Sequence, residues 1–530
     1  MVCTTSGGKA LPNKKKAIKQ PLTTTQQLGS LIKSARDIMR KDKGLNGDID
    51  RLPMLTWVMF LKFLDDLEHI HEQKAAIAGK PYKPIIQAPY RWRDWAAKED
   101  GTTGDDLKRF INDQEAVRPN GSKGKGLFEY LRQLRGTNGG KDQRDVIASI
   151  FKGVVNRMDS GFLLREIVNK VNGIHFSSTE EIHTLGHLYE SMLKEMRDAA
   201  GDSGEFYTPR PLVRFMVEVT NPRLGEKVLD PACGTGGFLV EAFNHLSKQA
   251  KTVQNRRVLL EESIFGGEAK PLPFLLAQMN LLLHGVETPQ IDPRNSLITP
   301  LRDIGDRDRV DIILTNPPFG GEEEKGIQGN FPEDKQTSET ALLFLMLIMR
   351  KLKRKPKPGR AGVVVPNGTL FGDGVCARIK DELLTEFNLH TIVRLPNGVF
   401  APYTSIQTNL LFFDRGGPTE DIWYYEQPLP EGRKNYTKTQ PIQYEEFAEC
   451  IAWWRKRTEN DRAWRVPVDQ VLKYDAEGRL ASVNLDVKNP NGKADFEHLP
   501  PAQLVDDIIA KERRILEILA EIKAELGAAV

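Results

Sequence analysis

The chain has 530 residues, 39% of them hydrophobic and 28% charged, with a formal net charge of +3. That length accommodates about two to four domains, at least one with a full α/β core, and the composition is that of a globular chain. So small an excess of positive charge predicts that, if nucleic acid is the substrate, much of the grip on it comes from a partner. Cys3, Cys233, Cys376 and Cys450 lie far apart, with no Cys-x-x-Cys and no histidine at metal spacing. That spacing excludes a disulfide framework and a zinc site, so no metal is expected, and it fits a reducing cytoplasm.

In chain order, Met1 to Gln20 carries Lys9, Lys14, Lys15, Lys16 and Lys19 but no hydrophobic signal core, and residues 1–22 read as a disordered basic arm. Residues 23–198 read as a helical domain. Its strongest segment, Leu55 to Leu67, has apolar residues at helical spacing with Lys62, Asp65 and Asp66 facing out. From Lys98 to Asp145 the chain is rich in Gly, Lys, Asp and Asn and reads as a mobile loop; helices are expected again at 145–158 and 178–198.

The pattern then changes. Short β-rich runs at 227–230, 263–266, 310–315, 362–366, 391–395 and 409–414 alternate with helical stretches at 238–249, 273–284, 340–353 and 374–387. Such alternation predicts a doubly wound, mostly parallel sheet over 199–417, with its ligand chemistry at the carboxyl ends of the strands. The apolar run Ala341–Met349 is too short to span a bilayer and reads as a buried helix, so no membrane role is expected. Residues 418–530 read as a C-terminal region ending in a helix at 501–526, whose apolar seam (Leu504, Ile508, Ile515, Leu519, Ile522, Leu526) suits docking on another chain.

Two segments carry chemistry. Lys227-Val-Leu-Asp230, then Pro231-Ala-Cys-Gly-Thr-Gly-Gly237, then Phe238 onward is strand, glycine turn, helix. Gly234, Gly236 and Gly237 allow backbone to approach a ligand where a Cβ would clash. Asp230 would repel a pyrophosphate; it suits instead the cationic amino-acid and sulfonium end of S-adenosyl-L-methionine (AdoMet). Glu268, closing the next strand, stands where such a sheet places the carboxylate that accepts from ribose hydroxyls.

The second segment is the strand Val310–Thr315 ending in Asn316-Pro317-Pro318-Phe319. An exocyclic amino nitrogen conjugated with its ring is a poor nucleophile. Two acceptors, the Asn316 side-chain oxygen and the Pro317 carbonyl, would favour a pyramidal nitrogen with its lone pair toward a methyl donor. Two prolines fix φ and remove competing N–H donors, and Phe319 offers a flat face to a base swung out of the duplex. These residue types serve the N6 of adenine and the N4 of cytosine equally.

With these motifs in order, the chain resembles the gamma class of N6-adenine DNA methyltransferases. Gly204-Glu-Phe-Tyr-Thr-Pro-Arg210 is similar to the family's Tyr-Thr-Pro segment, Ala277–Gly285 to the helix after the ribose-binding acid, and Val363–Gly368 and Tyr403–Asp414 to strands flanking the target base. Together with the helical N-terminal domain, it resembles the modification subunit of type I restriction–modification systems. The resemblance implies AdoMet as cofactor, held by Glu205, Phe206, Tyr207, Thr208, Pro209, Arg210, Asp230, Gly234, Thr235, Gly236, Gly237 and Glu268. Asn316, Pro317, Pro318 and Phe319 would hold the base, and Asn295, where many relatives carry Asp, would meet the adenosyl amino group. It further implies a cytoplasmic enzyme acting on DNA. Its expected partners are a specificity subunit, with two modification subunits per complex, and a restriction/translocase subunit. No Gly-x-x-x-x-Gly-Lys-[Ser/Thr] occurs in this sequence, so ATP-driven translocation is assigned elsewhere. The rival readings are a self-contained DNA methyltransferase, an RNA or protein methyltransferase, and an inactive AdoMet-binding scaffold.

Overall fold

The computed structural model describes residues 25–136, 142–173, 208–286, 288–401, 404, 406–437, 439–491, 509, 511–513 and 515–520. The basic arm, the helix expected at 178–198, Cys3 and most of the terminal helix at 501–526 lie outside these. Within that last segment, residues 515–520 are helical and expose Ile515, Leu516, Ile518 and Leu519.

The N-terminal part is built round one long helix, Asp48–Ile77, whose Trp57, Phe60 and Phe63 are fully buried. Helices Thr25–Met39, Gly104–Asn112, Leu127–Arg132, Gln143–Lys152 and Gly161–Asn172 close round it, and Phe110, Phe128 and Phe151 complete the core. Because neighbours surround the central helix, its polar stripe does not face out as the periodicity suggests. Lys62 is 4% exposed and donates to Asp66 at 2.6 Å, and Asp65 accepts from Arg93 at 2.9 Å. A buried charge needs a partner, and these partners lie within the domain. The expected loop between 98 and 145 is also corrected. It contains the helices at 104–112 and 127–132 and an antiparallel hairpin of β1 (Glu115–Val117) and β2 (Lys123–Lys125). The buried Leu107, Phe110, Leu127, Phe128 and Leu131 outweigh its glycines.

The remaining strands are β3 (Val228–Asp230), β4 (Ile264–Gly267), β5 (Gln290–Asp292), β6 (Ile312–Thr315), β7 (Arg360–Pro366), β8 (Asn388–Arg394), β9 (Thr408–Asp414), β10 (Asp421–Glu426), β11 (Ala463–Pro467) and the hairpin β12 (Leu472–Tyr474) with β13 (Leu480–Val483). Nine of them form one sheet in the spatial order β5-β4-β3-β6-β7-β9-β8-β10-β11. From β5 to β7 every pairing is parallel; β9 runs antiparallel between β7 and β8. β3 and β6 are buried along their whole length, as strands covered on both faces must be. The sheet continues past residue 417, where the sequence reading closes the catalytic unit. β10 pairs in parallel with β8 through Trp423↔Thr391, and β11 pairs with β10. The aromatic residues that read as a separate region are the sheet's far edge.

Helix Pro271–Leu283 joins the two parts. Leu275, Leu276, Met279, Leu282 and Leu283 enter the N-terminal core, while Phe274, Ala277 and Leu281 pack against the sheet. A helix apolar on all sides is one buried on all sides. No helix among the described residues is long and apolar enough to cross a membrane.

Candidate active site

The chain runs β3, β4, β5 to one side and then returns to β6 on the other side of β3. This is the switch point of the sheet, where a crevice opens at the carboxyl ends of β3 and β6. Asp230 ends β3 and Asn316 follows β6, so the two chemical segments face each other across it. Thr208, Arg210, Asp230, Gly234, Thr235, Gly237 and Asn316 line one cleft together with Cys233 and Phe238.

The glycine turn requires glycine. Gly234 and Gly236 have φ of 53° and 79°, left-handed values that other L-residues adopt with difficulty. At Gly237 a Cβ would overlap the Arg210 guanidinium. Arg210 itself opens the helix Arg210–Thr220, with Pro209 as its N-cap. The turn is strapped from four sides. The Cys233 N–H donates to the Gly267 carbonyl at 2.9 Å, and the Gly234 N–H donates to Glu268 Oε2 at 3.0 Å. Asn280 Nδ2 donates to the Thr235 carbonyl at 2.9 Å, and Ser296 Oγ donates to the Pro231 carbonyl at 2.7 Å.

Asp230 is 2% exposed, and its Oδ1 accepts from Thr315 Oγ at 2.6 Å and from the Ala232 N–H at 3.1 Å. Burial pushes its carboxyl up from 3.8 to about 7, against those two hydrogen bonds. No cation is ion-paired with Asp230 among the described residues, so a positively charged ligand in the cleft would restore the charge that burial suppresses. Glu268 is likewise held above its ordinary value by burial, and its second oxygen accepts from the Lys270 N–H at 2.8 Å.

On the other wall, Asn316 Nδ2 donates to Thr208 Oγ at 3.1 Å, which fixes the amide. Its Oδ1 is shielded from solvent and has no hydrogen-bond partner among the described residues. A buried acceptor left unpaired costs about 1–3 kcal/mol. The oxygen is therefore poised for a donor that the described residues do not supply. Pro317 is buried, and Phe319 meets Phe400 edge-on, with ring centroids 5.7 Å apart.

The crevice thus unites Thr208, Arg210, Asp230, Gly234, Thr235 and Gly237 of the expected cofactor residues with Asn316 of the expected base-holding ones. Glu205, Phe206 and Tyr207 lie outside the described residues. Gly236 shapes the turn without lining the cleft, and Glu268 reaches the loop through a backbone N–H. Asn295 does not present its oxygen as expected, because its Oδ1 accepts from the Leu297 N–H at 3.0 Å within its own turn. The sequence reading missed Thr315, Ser296 and, as a strap, Asn280. Asn280 could have been found as a polar residue inside the apolar run Leu275–Leu283.

The sheet order, the reversed β9 and the glycine crevice define a doubly wound, Rossmann-like methyltransferase. Comparison with known proteins agrees. The profile of the N-6 DNA Methylase family matches residues 180–493, and that of the HsdM N-terminal domain matches residues 28–171. The methylase subunit of the type I restriction enzyme EcoEI from Escherichia coli is 44% identical over 512 residues, 95% of this chain and 98% of that protein. The crystal structure of a modification subunit assigned to a type I restriction enzyme of Vibrio vulnificus YJ016 shares 68% identity. It superposes with a TM-score of 0.85 over 91% of this chain and 100% of that one. A chain from a structural study of type I restriction–modification complex assembly shares 41% identity with a TM-score of 0.71, over 96% and 99% of the two chains. This chain belongs to the N-6 DNA methylase family, as a methylase subunit of the type I restriction enzymes. Membership carries AdoMet use with it.

Proposed function

We propose that the two walls of the crevice divide the methylation of adenine N6 in DNA between them, and that the orphaned Asn316 Oδ1 is the observation that carries this division. When bound, AdoMet supplies an electrophilic methyl group on a sulfonium. The chain's own part is to bind, orient and hold protons. Thr208, Pro209, Arg210, Asp230 and the turn Gly234–Gly237 form the cofactor wall, with Glu205, Phe206 and Tyr207 carried over from the family resemblance. Asp230 accepts the cationic end and Glu268 the ribose hydroxyls, while Gly236 gives the turn its shape.

On the base wall, Asn316 Oδ1 accepts one amino hydrogen of a base flipped out of the duplex. The Pro317 carbonyl is the second acceptor. Together they favour a pyramidal nitrogen with its lone pair exposed, a charge-directed stabilisation fixed in place before the substrate arrives. Pro318 holds the corner, and Phe319, braced by Phe400, stacks on the base. No strong base is required, since the amino proton leaves only after the nitrogen has become positive.

The chain acts in the cytoplasm as a modification subunit. A specificity subunit chooses the site, with two modification subunits per complex, and a restriction/translocase subunit joins them. Nucleoside analysis of DNA methylated by the assembled complex tests the chemistry. N6-methyladenine is expected, and N4-methylcytosine would overturn it. Site-specific methylation by this chain purified alone would overturn the subunit reading.

A further inference from the structure

We propose that the amino-terminal end of the sheet is a second DNA contact, taking the phosphates of duplex that flanks the target and bends round the β5 edge; the proposal rests on the DNA methylase reading above. Residues 350–360 contain Arg350, Lys351, Lys353, Arg354, Lys355, Lys357 and Arg360, seven cations and no acid. Lys353 pairs with Asp311 at 2.7 Å and Arg360 with Glu226 at 2.8 Å, while Arg350 donates to the Leu301 carbonyl at 2.9 Å. Arg354, Lys355 and Lys357 are exposed and form no ion pair among the described residues.

The charge there is crowded. Arg309 is 4% exposed; burial lowers the proton affinity of its guanidinium, and Arg354 and Arg350 lower it further. Arg415 is held down in the same way by burial, then by Arg309 and Arg354. Beside them, Lys227, Arg257, Arg307 and Lys351 line a cleft of about 1140 Å³ that crosses the sheet from Lys227 and Val310, before β3 and β6, past Phe265 of β4 to Asp292, at the end of the edge strand β5. Its acids are engaged already. Glu261 pairs with Arg257 at 3.1 Å, Asp292 pairs with Arg294 at 2.7 Å, and Asp308 accepts from the Gly305 N–H at 2.9 Å. Arg309 pairs with Asp306 at 3.0 Å, so among the described residues Arg354, Lys355 and Lys357 are cations of this cluster left without an acidic partner.

A polyanion suits this surface, and the observations favour DNA over an acidic protein. The exposed large apolar side chains include none from residues 301–311 or 350–360, whereas a protein interface needs an apolar core. Lysine and arginine on phosphate need none. From Val310 to Asn316 is roughly 20 Å along the strand. A straight duplex across the catalytic edge would pass the cluster by, and only bent flanking DNA reaches it, its bending cost offset by the added phosphate contacts.

The test uses the complex assembled with its specificity subunit, carrying Arg354→Gln, Lys355→Gln and Lys357→Gln together. Two duplexes are compared, one covering only the target and one with long flanks. On the long duplex the variant should bind about tenfold or more weakly, and the slope of log affinity against log salt should fall by up to about 3 per copy. Methylation of the short duplex should not change. Unaltered affinity and slope on the long duplex would overturn the proposal. So would a variant that no longer assembles, which would assign the cluster to an acidic protein partner. Failure of the unsubstituted complex to methylate the short duplex would count against the methylase reading instead, so the two failures are distinguishable.

Discussion

The two walls of the crevice are built on opposite terms. On the cofactor wall the turn 231–237 is strapped by Gly267, Glu268, Asn280 and Ser296, so its shape is set before any ligand arrives. On the base wall Asn316 spends its amide nitrogen on Thr208 and leaves its oxygen buried and, among the described residues, unpaired. Among the described residues the first wall has its hydrogen bonds filled from within the chain, and the second keeps one acceptor open. That difference teaches that damage to the cofactor wall should abolish binding, while damage to the base wall should leave binding and remove catalysis.

The hardest blow to the cofactor wall is Gly236→Asp. It places a side chain at a φ of 79°, sets a Cβ 3.4 Å from the Cβ of Ala277, and adds a third carboxylate beside Asp230 and Glu268. AdoMet binding should fall below detection in calorimetry while circular dichroism shows a folded protein. Near-normal affinity in a folded variant would mean that the turn does not hold the cofactor. On the base wall Asn316→Ala should lower kcat by about 10²–10³. AdoMet affinity should stay within about twofold, because the amide touches the cofactor wall only through Thr208. If affinity and kcat fall together, Asn316 is a structural bond and the contrast between the walls collapses.

Much of this was legible in sequence because both walls are local. A glycine turn after a strand and a proline pair after a strand are each written in consecutive residues, and the alternation of strands with helices places them at one edge. What joins distant segments was not legible. β5 is three residues long and β10 and β11 sit among aromatic and charged residues, so neither had the apolar run that marked β6 or β9. Lys62 and Asp65 read as solvent-facing because periodicity reports a helix's stripe, not how many neighbours will cover it. Nor does spacing show that Asn280 ends 2.9 Å from a carbonyl 45 residues earlier.

Asn280 therefore sharpens the comparison. It lies in the helix shared with the N-terminal domain, is fully buried, and donates to the Thr235 carbonyl of the cofactor wall. Asn280→Ala leaves the Thr235 carbonyl without that donor, at a cost of about 1–3 kcal/mol. AdoMet should bind about 10- to 100-fold more weakly, with kcat at saturating AdoMet little changed. Asn280→Leu, which keeps the size but cannot donate, should behave like alanine. A drop in kcat with unchanged affinity would place the residue on the wrong wall.

The mildest perturbation is pH, and Asp230 is the group of the crevice whose carboxyl burial brings to about 7. Its carboxyl is pushed up to about 7 in the cofactor-free fold, against an ordinary 3.8, chiefly by burial. For stability the sign is that of any raised acid. The contribution is fully present below the unfolded value and is lost as pH climbs through the folded one, because the buried anion is disfavoured. For a cationic ligand the sign reverses, since only the anion attracts it. AdoMet binding should thus release a proton, with affinity falling toward about tenfold per pH unit below about 7 and levelling off above it. Proton release can be measured by calorimetry in buffers of different ionisation enthalpy. Asp230→Asn removes the charge and keeps the shape. It should flatten the pH profile, weaken AdoMet at every pH, and raise the melting temperature of the cofactor-free protein above pH 7, where the native anion is a burden. A variant that binds less well but melts no higher would show that the carboxylate is not strained by burial, and that the cofactor wall is less finished than its hydrogen bonds suggest.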